Sequence, residues 1–201
     1  AMTGSSAAGE HIARESGMIK LVMELGGNAP AIVFPDADLS DAAGSCTAGS
    51  VKFGGQRCSA VSRVLAHKSV HDALVDRIEG HLDSWVVVDL FDEETDLGAL
   101  IDEAHAEYVD ELVDDAVYEP TLLADVPYDA RLIYEEQFGP VAAVTTFSEE
   151  REAVDLANAG KLALDASVFT TDHDRAMRVA EAVDAGAVQI NGAPSHGLGD
   201  V

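Results

Sequence analysis

Residues 31–67 read AIVF-PDADL-SDAAGSCTAGSVKF-GGQRCSAVS-RVLAH, and the architecture follows from the alternating patterns within them. Residues 31–34 are a short run of apolar side chains, which predicts a strand buried on both faces. A helical pattern follows over residues 39–53, and a second apolar run over residues 63–67 predicts another strand. A strand, a helix and a strand joined by short turns predict parallel strands with a crossover helix, and therefore an α/β fold.

The same alternation continues on both sides of this unit. Further strands are predicted at residues 20–24, 140–147, 166–169 and 187–190, and further helices at 70–81, 102–116 and 174–183. Four side chains share one face of the helix at 102–116 and are expected to be buried: Ala104, Tyr108, Leu112 and Ala116. Ser148 is expected to cap a helix that starts at Glu149. The sequence thus predicts a mainly parallel sheet flanked by helices.

The chain is strongly acidic. Of its 201 residues, 37 are Asp or Glu and 12 are Lys or Arg, which gives a net charge of −25. This charge repels nucleic acid and anionic lipid, so neither is expected as a partner. No apolar run is long enough to span a bilayer, and we expect a soluble, cytoplasmic protein. Because the acidic residues are spread among apolar helix and strand patterns, they indicate a folded, halophilic protein whose surface suits high salt.

Three aspartates have a spacing close to that of a calcium-binding loop: Asp36, Asp38 and Asp41. The central glycine and the closing glutamate of such a loop are absent from this segment. We therefore expect no metal site, and instead place Asp36 or Asp38 near the start of the helix at residues 39–53.

Cys58 is the first candidate for chemistry. It follows Gly54-Gly55-Gln56-Arg57 and precedes a predicted strand. The glycines let the backbone pass close to another group, the adjacent arginine favours the reactive thiolate, and free amides in the turn would hold an oxyanion. A buried structural cysteine is the alternative, and the local pattern alone favours it. Cys46 lies inside an apolar helical pattern and is expected to be a core residue.

Glu24 is the second candidate. It ends the apolar run Leu21-Val22-Met23 and precedes Leu25-Gly26-Gly27-Asn28. A carboxylate at this place is expected to be partly withdrawn from water, which suits a general base. The alternative is a carboxylate at a strand end that points into solvent, and Glu24 considered by itself favours that alternative.

Together these two elements resemble the signature of the aldehyde dehydrogenase superfamily, in which a glutamate and a glycine pair precede a nucleophilic cysteine. Further segments match the family pattern in the same order: Thr3-Gly4-Ser5 with Gly9, Pro35-Asp36-Ala37-Asp38-Leu39, Glu136-Gln137-Phe138-Gly139-Pro140 and Val188-Gln189-Ile190-Asn191. The resemblance runs from Thr3 to the last residue. It implies the α/β fold of the family's catalytic domain.

The resemblance also implies a mechanism. Cys58 would attack the carbonyl of a small-molecule aldehyde to form a thiohemiacetal, and transfer of hydride to NAD or NADP would leave a thioester. Glu24 would activate the water that hydrolyses this thioester to a carboxylic acid. Because relatives that pass the acyl group to coenzyme A generally lack this glutamate, its presence favours hydrolysis.

The positions that bind the cofactor follow from the same resemblance. Gly4 and Ser5 would approach the phosphates at a helix N-terminus, which favours anions. The Leu25 backbone would approach the nicotinamide. Glu136 would hold the hydroxyls of the ribose next to the nicotinamide, and Phe138 would pack near the nicotinamide itself.

Substrate class is suggested by the residues around the nucleophile. Gly-Gln-Arg-Cys with Arg63 after it, together with Asn191-Gly192-Ala193-Pro194, is similar to the branch of non-phosphorylating glyceraldehyde-3-phosphate, lactaldehyde and succinate-semialdehyde dehydrogenases. Arg57 would contact an anionic group of the substrate. Its alternative role is to tune or pack the loop, and both alternatives stay open.

The chain departs from the family pattern at four places. Most of the dinucleotide-binding domain, which precedes the position of Ala1, is absent, and so is the C-terminal tail beyond Val201. Residues 114–118 replace a longer family segment that contains a glycine pair, and Ala99 stands where the family usually has proline. We therefore assign residues 1–24 to the end of a dinucleotide-binding domain and residues 25–201 to the catalytic domain.

These departures lead us to expect that the 201 residues alone are inactive, although a homo-oligomer is expected for the full-length form. The alternative is a non-catalytic remnant that associates with a full-length homologue. An acidic metal-binding protein is a third hypothesis, and a triad hydrolase is disfavoured because no Gly-x-Ser-x-Gly motif occurs.

Overall fold

Two parallel sheets organise the part of the chain that the computed structural model describes, which is residues 1–87, 91–113, 119–162 and 164–194. The strands are β1 (Met2–Thr3), β2 (Met23–Glu24), β3 (Ala29–Val33), β4 (Val61–His67), β5 (Thr121–Leu123), β6 (Val141–Phe147), β7 (Asp165–Phe169) and β8 (Ala187–Ile190). The helices are α1 (Ser6–Glu15), α2 (Leu39–Val51), α3 (His71–Leu82), α4 (Glu103–Val113), α5 (Arg131–Tyr134), α6 (Glu150–Ala157) and α7 (His173–Ala182). A 3₁₀ turn at Lys52–Gly55 follows α2.

The larger sheet has the order β5-β6-β4-β3-β7-β8, and every neighbouring pair is parallel. The smaller sheet pairs β1 with β2, also in parallel, with α1 as the crossover between them. The predicted α/β architecture with a mainly parallel sheet flanked by helices is thus confirmed.

Side chains of β3 are buried on both faces of the sheet. Ala31 and Val33 pack into a core with α2 and α3, whereas Ile32 packs into a second core with α6 and α7. Successive side chains of a strand point to opposite faces, so a strand covered on both sides must be apolar at every position. This explains the unbroken apolar run from which the strand was predicted.

Helix α4 differs from its predicted orientation. Its buried residues are Ala106, Val109 and Leu112, while Ala104 is exposed and Tyr108 is half-buried. The predicted face is confirmed at Leu112 and in part at Tyr108, which packs against the core, and it was wrong at Ala104. Val109, which was not predicted, is buried because it packs against Val141 of β6. Ala116, the fourth predicted member of the face, lies outside the described residues, as does the rest of the segment 114–118.

The start of α6 also differs from the prediction. Its N-cap residue is Glu149, and no side chain caps it. Instead the Ser148 amide donates to Oε2 of Glu152, 2.7 Å away, so the carboxylate of the first turn reaches back to the preceding backbone. The predicted Ser148 cap was therefore wrong. The short elements β5 and α5 were not predicted, since three or four residues carry too little periodicity.

Cys46 and Arg63 are both fully buried in the sheet region. The core position predicted for Cys46 is confirmed, and burial raises the pKa of its thiol to about 12.

The guanidinium of Arg63 donates to the carbonyl oxygens of three residues: Asn28, Leu156 and Ala157. Burial lowers the pKa of Arg63 to about 10. Arg63 thus fastens the loop before β3 to the end of α6.

Asp36 lies at the carboxyl edge of the larger sheet and accepts hydrogen bonds from its neighbours. The donors are the hydroxyls of Thr170 and Thr171 and Nη1 of Arg175, which is 2.6 Å away. Although partial burial acts to raise the pKa of Asp36, these donors lower it to about 2.

Asp38 caps α2 by accepting from two amides of its first turn. Within the described ranges, no cluster of three metal-ligating side chains occurs.

None of the helices formed by the described residues has the length and apolar character needed to cross a membrane.

Candidate active site

Three loops meet at the amino edge of the larger sheet. Gly27 and Asn28 precede β3, Cys58 precedes β4, and Gly139 precedes β6. Because these three strands are parallel and adjacent in the sheet, the loops before them lie side by side. The two candidate catalytic segments, far apart in the sequence, are brought together in this way.

Glycines set the spacing between these loops. A Cβ added to Gly27 would lie 2.0 Å from the carbonyl oxygen of Cys58, and one added to Gly55 would lie 1.9 Å from that of Gly139. Gly54 and Gly55 also have φ angles of 68° and 66°, which L side chains rarely adopt. The predicted close approach of the Gly54-Gly55 backbone to another group is confirmed by Gly55, and Gly27 makes a similar approach that was not predicted.

Glu136 joins the loop before β6 to the loop before β3. Its Oε1 accepts a hydrogen bond from the Gly27 amide at 2.9 Å, and a Cβ on Gly26 would lie 2.4 Å from its Oε2. Burial raises the pKa of Glu136, while the Gly27 amide and His105 act in the opposite direction. The carboxylate of Glu136 therefore lies directly against the backbone of Gly26 and Gly27, where a side chain on Gly26 would displace it.

A cavity of about 520 Å³ lies between these loops and the smaller sheet. Its lining comprises Thr3, Gly4, Ser5, Glu24, Leu25, Gly26, Gln56, Cys58, Glu136 and Phe138. Seven of the eight site residues predicted from the sequence are in this set, and Arg57 is the exception. The candidate nucleophile and the candidate base thus face one cavity.

The thiol of Cys58 is free and half-buried at the cavity wall. Around it, the amides of Arg57 and Ala60 are used within the turn, where they donate to the carbonyls of Gly55 and Arg57. Among the described residues, no acceptor is found for the Cys58 amide. The free amide agrees with the sequence analysis, and its use as an oxyanion donor stays a prediction.

The side chain of Arg57 points away from the cavity. Its Nη2 donates to the carbonyl oxygen of Gly49 in α2, 2.7 Å away. Burial lowers the pKa of Arg57, opposed by Cys58 and Asp165. These contacts correspond to the packing alternative for Arg57 rather than to contact with a substrate anion.

Glu24 is exposed, which corrects the expectation that it is partly withdrawn from water. Its strand, β2, has two residues and pairs with β1. Three apolar side chains just before it, Met18, Ile19 and Val22, are exposed as well. A two-stranded sheet gives this end of the chain too little cover to bury the carboxylate.

The N-terminus of α1 forms another wall of the cavity. Ser5 caps this helix by accepting from the Ala8 amide at 3.3 Å, and the Gly4 amide donates to the Glu24 carbonyl at 3.0 Å. The second contact fastens the turn before α1 to the segment that carries the candidate base. The positive end of the helix dipole lies at this wall, and it favours an anionic ligand.

Sequence reasoning missed three residues that support the site. Gln56 lines the cavity, and its Oε1 accepts from the Ile101 amide at 2.8 Å. His105 and Tyr108 of α4 bind the backbone of the segment that holds Glu136 and Phe138. Gln56 adjoins the cysteine motif and could have been considered, whereas the two residues of α4 have no motif to mark them.

The chain also matches known proteins over nearly its whole length. The model of the aldehyde dehydrogenase family matches residues 1–198. The chain is 36% identical to an NADP-dependent glyceraldehyde-3-phosphate dehydrogenase of Streptococcus equinus, over 97% of this chain and 44% of that protein. It is 34% identical to succinate-semialdehyde dehydrogenase [NADP(+)] 1 of Mycobacterium ulcerans, over 95% of this chain and 46% of the relative. The chain therefore spans less than half the length of these relatives.

Solved structures agree with the sequence matches. The NADP-dependent glyceraldehyde-3-phosphate dehydrogenase of Bacillus halodurans, complexed with NADP, superimposes with a TM-score of 0.94 at 35% identity, over 98% of this chain and 44% of that one. Lactaldehyde dehydrogenase of Escherichia coli gives a TM-score of 0.92 at 31% identity, over 98% and 46% of the two chains. With a family model that covers almost every residue and relatives of the same fold, this chain belongs to the aldehyde dehydrogenase family.

Proposed function

We propose that the chain forms the nucleophile-bearing part of an NAD(P)-dependent enzyme that oxidises an aldehyde to a carboxylic acid. The observation that carries this proposal is the single cavity lined by both Cys58 and Glu24. A thiol and a carboxylate that face one space can act in turn on the same carbon atom.

Cys58 is the nucleophile of this proposal. Its sulfur adds to the aldehyde carbonyl, and the oxygen that becomes negative is stabilised by the Cys58 amide. The Gly27 and Gly55 contacts support this role because they fix the backbone on both sides of the sulfur. Arg57 is proposed to pack the loop against α2, through its contact with Gly49.

Glu24 is the base that activates water for hydrolysis of the thioester on Cys58. Its exposure supports access of water to the carboxylate. The bond from the Gly4 amide to the Glu24 carbonyl orients the segment, so that the carboxylate stays at the cavity wall. Hydrolysis releases the carboxylic acid and restores the thiol.

The cavity also fits part of a nicotinamide dinucleotide, which accepts the hydride released from the substrate carbon when it is bound. Gly4 and Ser5 lie at the N-terminus of α1, where a phosphate would be held. The partly buried carboxylate of Glu136 would accept from ribose hydroxyls, and Phe138 with Leu25 would offer apolar surface to the ring. The names of the NADP-dependent relatives support this assignment.

The domain boundary is part of the proposal. Residues 1–24 would end a dinucleotide-binding domain, and residues 25–201 would form the catalytic domain. The division is supported by the separate two-stranded sheet of β1 and β2, which ends at Glu24.

An activated ester tests the two roles without any cofactor, because it acylates a nucleophilic thiol directly. With p-nitrophenyl acetate, the wild-type chain should release a burst of p-nitrophenolate equal to one acyl group per chain. Glu24→Gln should retain the burst but slow the turnover that follows, and Cys58→Ser should lose both. Cys46→Ala serves as the matched control and should behave as wild type. A burst that persists in Cys58→Ser would overturn the proposal.

The exposed apolar side chains Met18, Ile19 and Val22 favour a second candidate, association with another polypeptide through this surface. If the chain works only in association with another polypeptide, the 201 residues alone should reduce no NAD(P). Aldehyde-dependent formation of reduced cofactor by the chain alone would contradict it. Addition of the N-terminal half of a full-length homologue in trans should produce the activity, and Met18→Asp with Ile19→Asp should prevent this.

A further inference from the structure

Two side chains of α4 that do not line the cavity form hydrogen bonds to the backbone of residues 136–138. Nε2 of His105 lies 2.7 Å from the carbonyl oxygen of Phe138, and the Tyr108 hydroxyl donates to the carbonyl oxygen of Glu136 at 2.8 Å. A carbonyl accepts and cannot donate, so His105 carries a proton on Nε2. The two rings are stacked, with centroids 6.0 Å apart and planes 26° from parallel.

The segment that they hold has an unusual backbone. Phe138 has a φ angle of 49°, in the left-handed region that bulky side chains disfavour. Such a conformation persists where surrounding contacts impose it. The His105 ring packs edge-on against the Phe138 ring at 6.1 Å, and Val109 of the same helix packs on Gly139. Helix α4 therefore supplies the contacts that keep Phe138 in this conformation.

Residues 136–138 in turn determine where the Glu136 carboxylate lies. Its carboxylate reaches across the cavity wall to the Gly27 amide, and Gly27 touches the carbonyl of Cys58. A displacement of the 136–138 backbone would thus loosen the Glu136–Gly27 hydrogen bond.

We propose that His105 and Tyr108 are positioning residues, which together form a clamp that fixes Glu136 on the Gly27 amide and Phe138 at the cavity wall. Neither side chain lines the cavity, so they act through the backbone that they hold. The part of this inference that concerns cofactor binding rests on the proposed function, and the part that concerns the clamp does not.

Hydrogen exchange of the Gly27 amide tests the clamp in the 201-residue chain. His105→Leu removes the donor and should speed exchange of this amide by about tenfold, the loss of roughly one hydrogen bond. His105→Gln keeps a donor and should restore most of the protection, and Tyr108→Phe should act in the same direction as His105→Leu while it keeps the ring. Unchanged Gly27 exchange in both His105→Leu and Tyr108→Phe would overturn the proposal.

Two references separate a local effect from general loss of stability. The Val64 amide in β4 reports on the core of the sheet, and its exchange should not change in any of these variants. His173→Leu, at the exposed start of α7, is the matched control and should leave Gly27 exchange as in wild type. If Val64 and Gly27 exchange rise together in Tyr108→Phe, the residue supports the whole fold and the clamp is refuted.

Titration with nicotinamide mononucleotide then tests the link to the cofactor. Shifts of the Gly26 and Phe138 amide resonances in wild type, with affinity weakened by about tenfold in His105→Leu and recovered in His105→Gln, would support the clamp as part of the cofactor site. Absence of shifts in wild type would contradict the proposed cofactor site, while the exchange result would still decide the clamp.

Discussion

Replacement of Gly27 by alanine tests whether the two candidate catalytic segments are held in place by the close approach of Gly27 to Cys58. The added Cβ would lie 2.0 Å from the carbonyl oxygen of Cys58, and Cβ atoms essentially never come within 3.0 Å of another heavy atom. One of the two loops must therefore move by about 1 Å. Alanine is disfavoured at this position because its Cβ lacks space. The backbone angles of Gly27 suit any residue, since its φ is not positive.

The expected loss follows from this displacement. Overpacking of a rigid backbone contact lowers the free energy of unfolding by about 1–3 kcal/mol. In urea that corresponds to a midpoint lower by about 1 M, since the slope for small proteins is about 1–3 kcal/mol per M. A shift of about 1 Å at the sulfur would also slow acylation of Cys58 by roughly a hundredfold.

Urea denaturation and the p-nitrophenolate burst measure the two effects separately. Gly80→Ala is the matched control, because Gly80 lies within α3 and an added Cβ there would meet nothing within 4 Å. That variant should gain about 0.5–1 kcal/mol from better helix propensity and acylate at the wild-type rate. If Gly27→Ala unfolds at the same urea concentration as wild type, the loops are not locked together as we argue.

Three further predictions concern the core, the sheet edge and the thiols. Arg63→Lys cannot reach all three carbonyls that the guanidinium binds, and the free energy of unfolding in urea should fall by about 2–4 kcal/mol; a loss below about 1 kcal/mol would refute the proposal that Arg63 fastens the loop before β3 to α6. Because the pKa of Asp36 is lowered to about 2, its contribution to stability is complete above pH 4 and is lost as the pH falls toward 2. Asp36→Asn should therefore lower the free energy of unfolding at pH 7 by about 1 kcal/mol, a value kept small because the carboxylate is partly exposed to solvent. Between pH 4 and pH 2 the melting temperature of the variant should also fall less steeply than that of the wild type; an unchanged slope would contradict this account. Iodoacetamide should modify Cys58 in the native chain and Cys46 only after unfolding, since burial raises the pKa of the latter to about 12; mass spectrometry that finds Cys46 labelled in the folded state would disprove its burial.

Much of this fold could be predicted because local pattern and tertiary environment agree. The apolar run at residues 31–34 is buried on both faces, and Leu39 begins a helix that Asp38 caps. The family resemblance around Glu24 and Cys58 implied that both residues act on one substrate, and the two residues do line one cavity.

What could not be predicted depends on contacts between segments distant in sequence. The direction of the Arg57 side chain is set by a carbonyl in α2, and the burial of Val109 in α4 by its contact with Val141 of β6. The exposure of Glu24 follows from a sheet of only two short strands among the described residues, which a pattern of apolar residues does not reveal. The clamp residues of α4 act on backbone oxygens, so their side chains follow no recognisable motif.

The position of the cavity at the amino edge has a practical consequence for measurement. Lys68 and Ser69 are exposed in the turn after β4, whereas Cys58 lies just before that strand. Seven residues of extended chain place a fluorophore on this turn about 20 Å from the sulfur, well within the range of resonance energy transfer. A dye introduced there could follow the arrival and departure of a labelled acyl group in real time, with the length of β4 between the dye and Cys58.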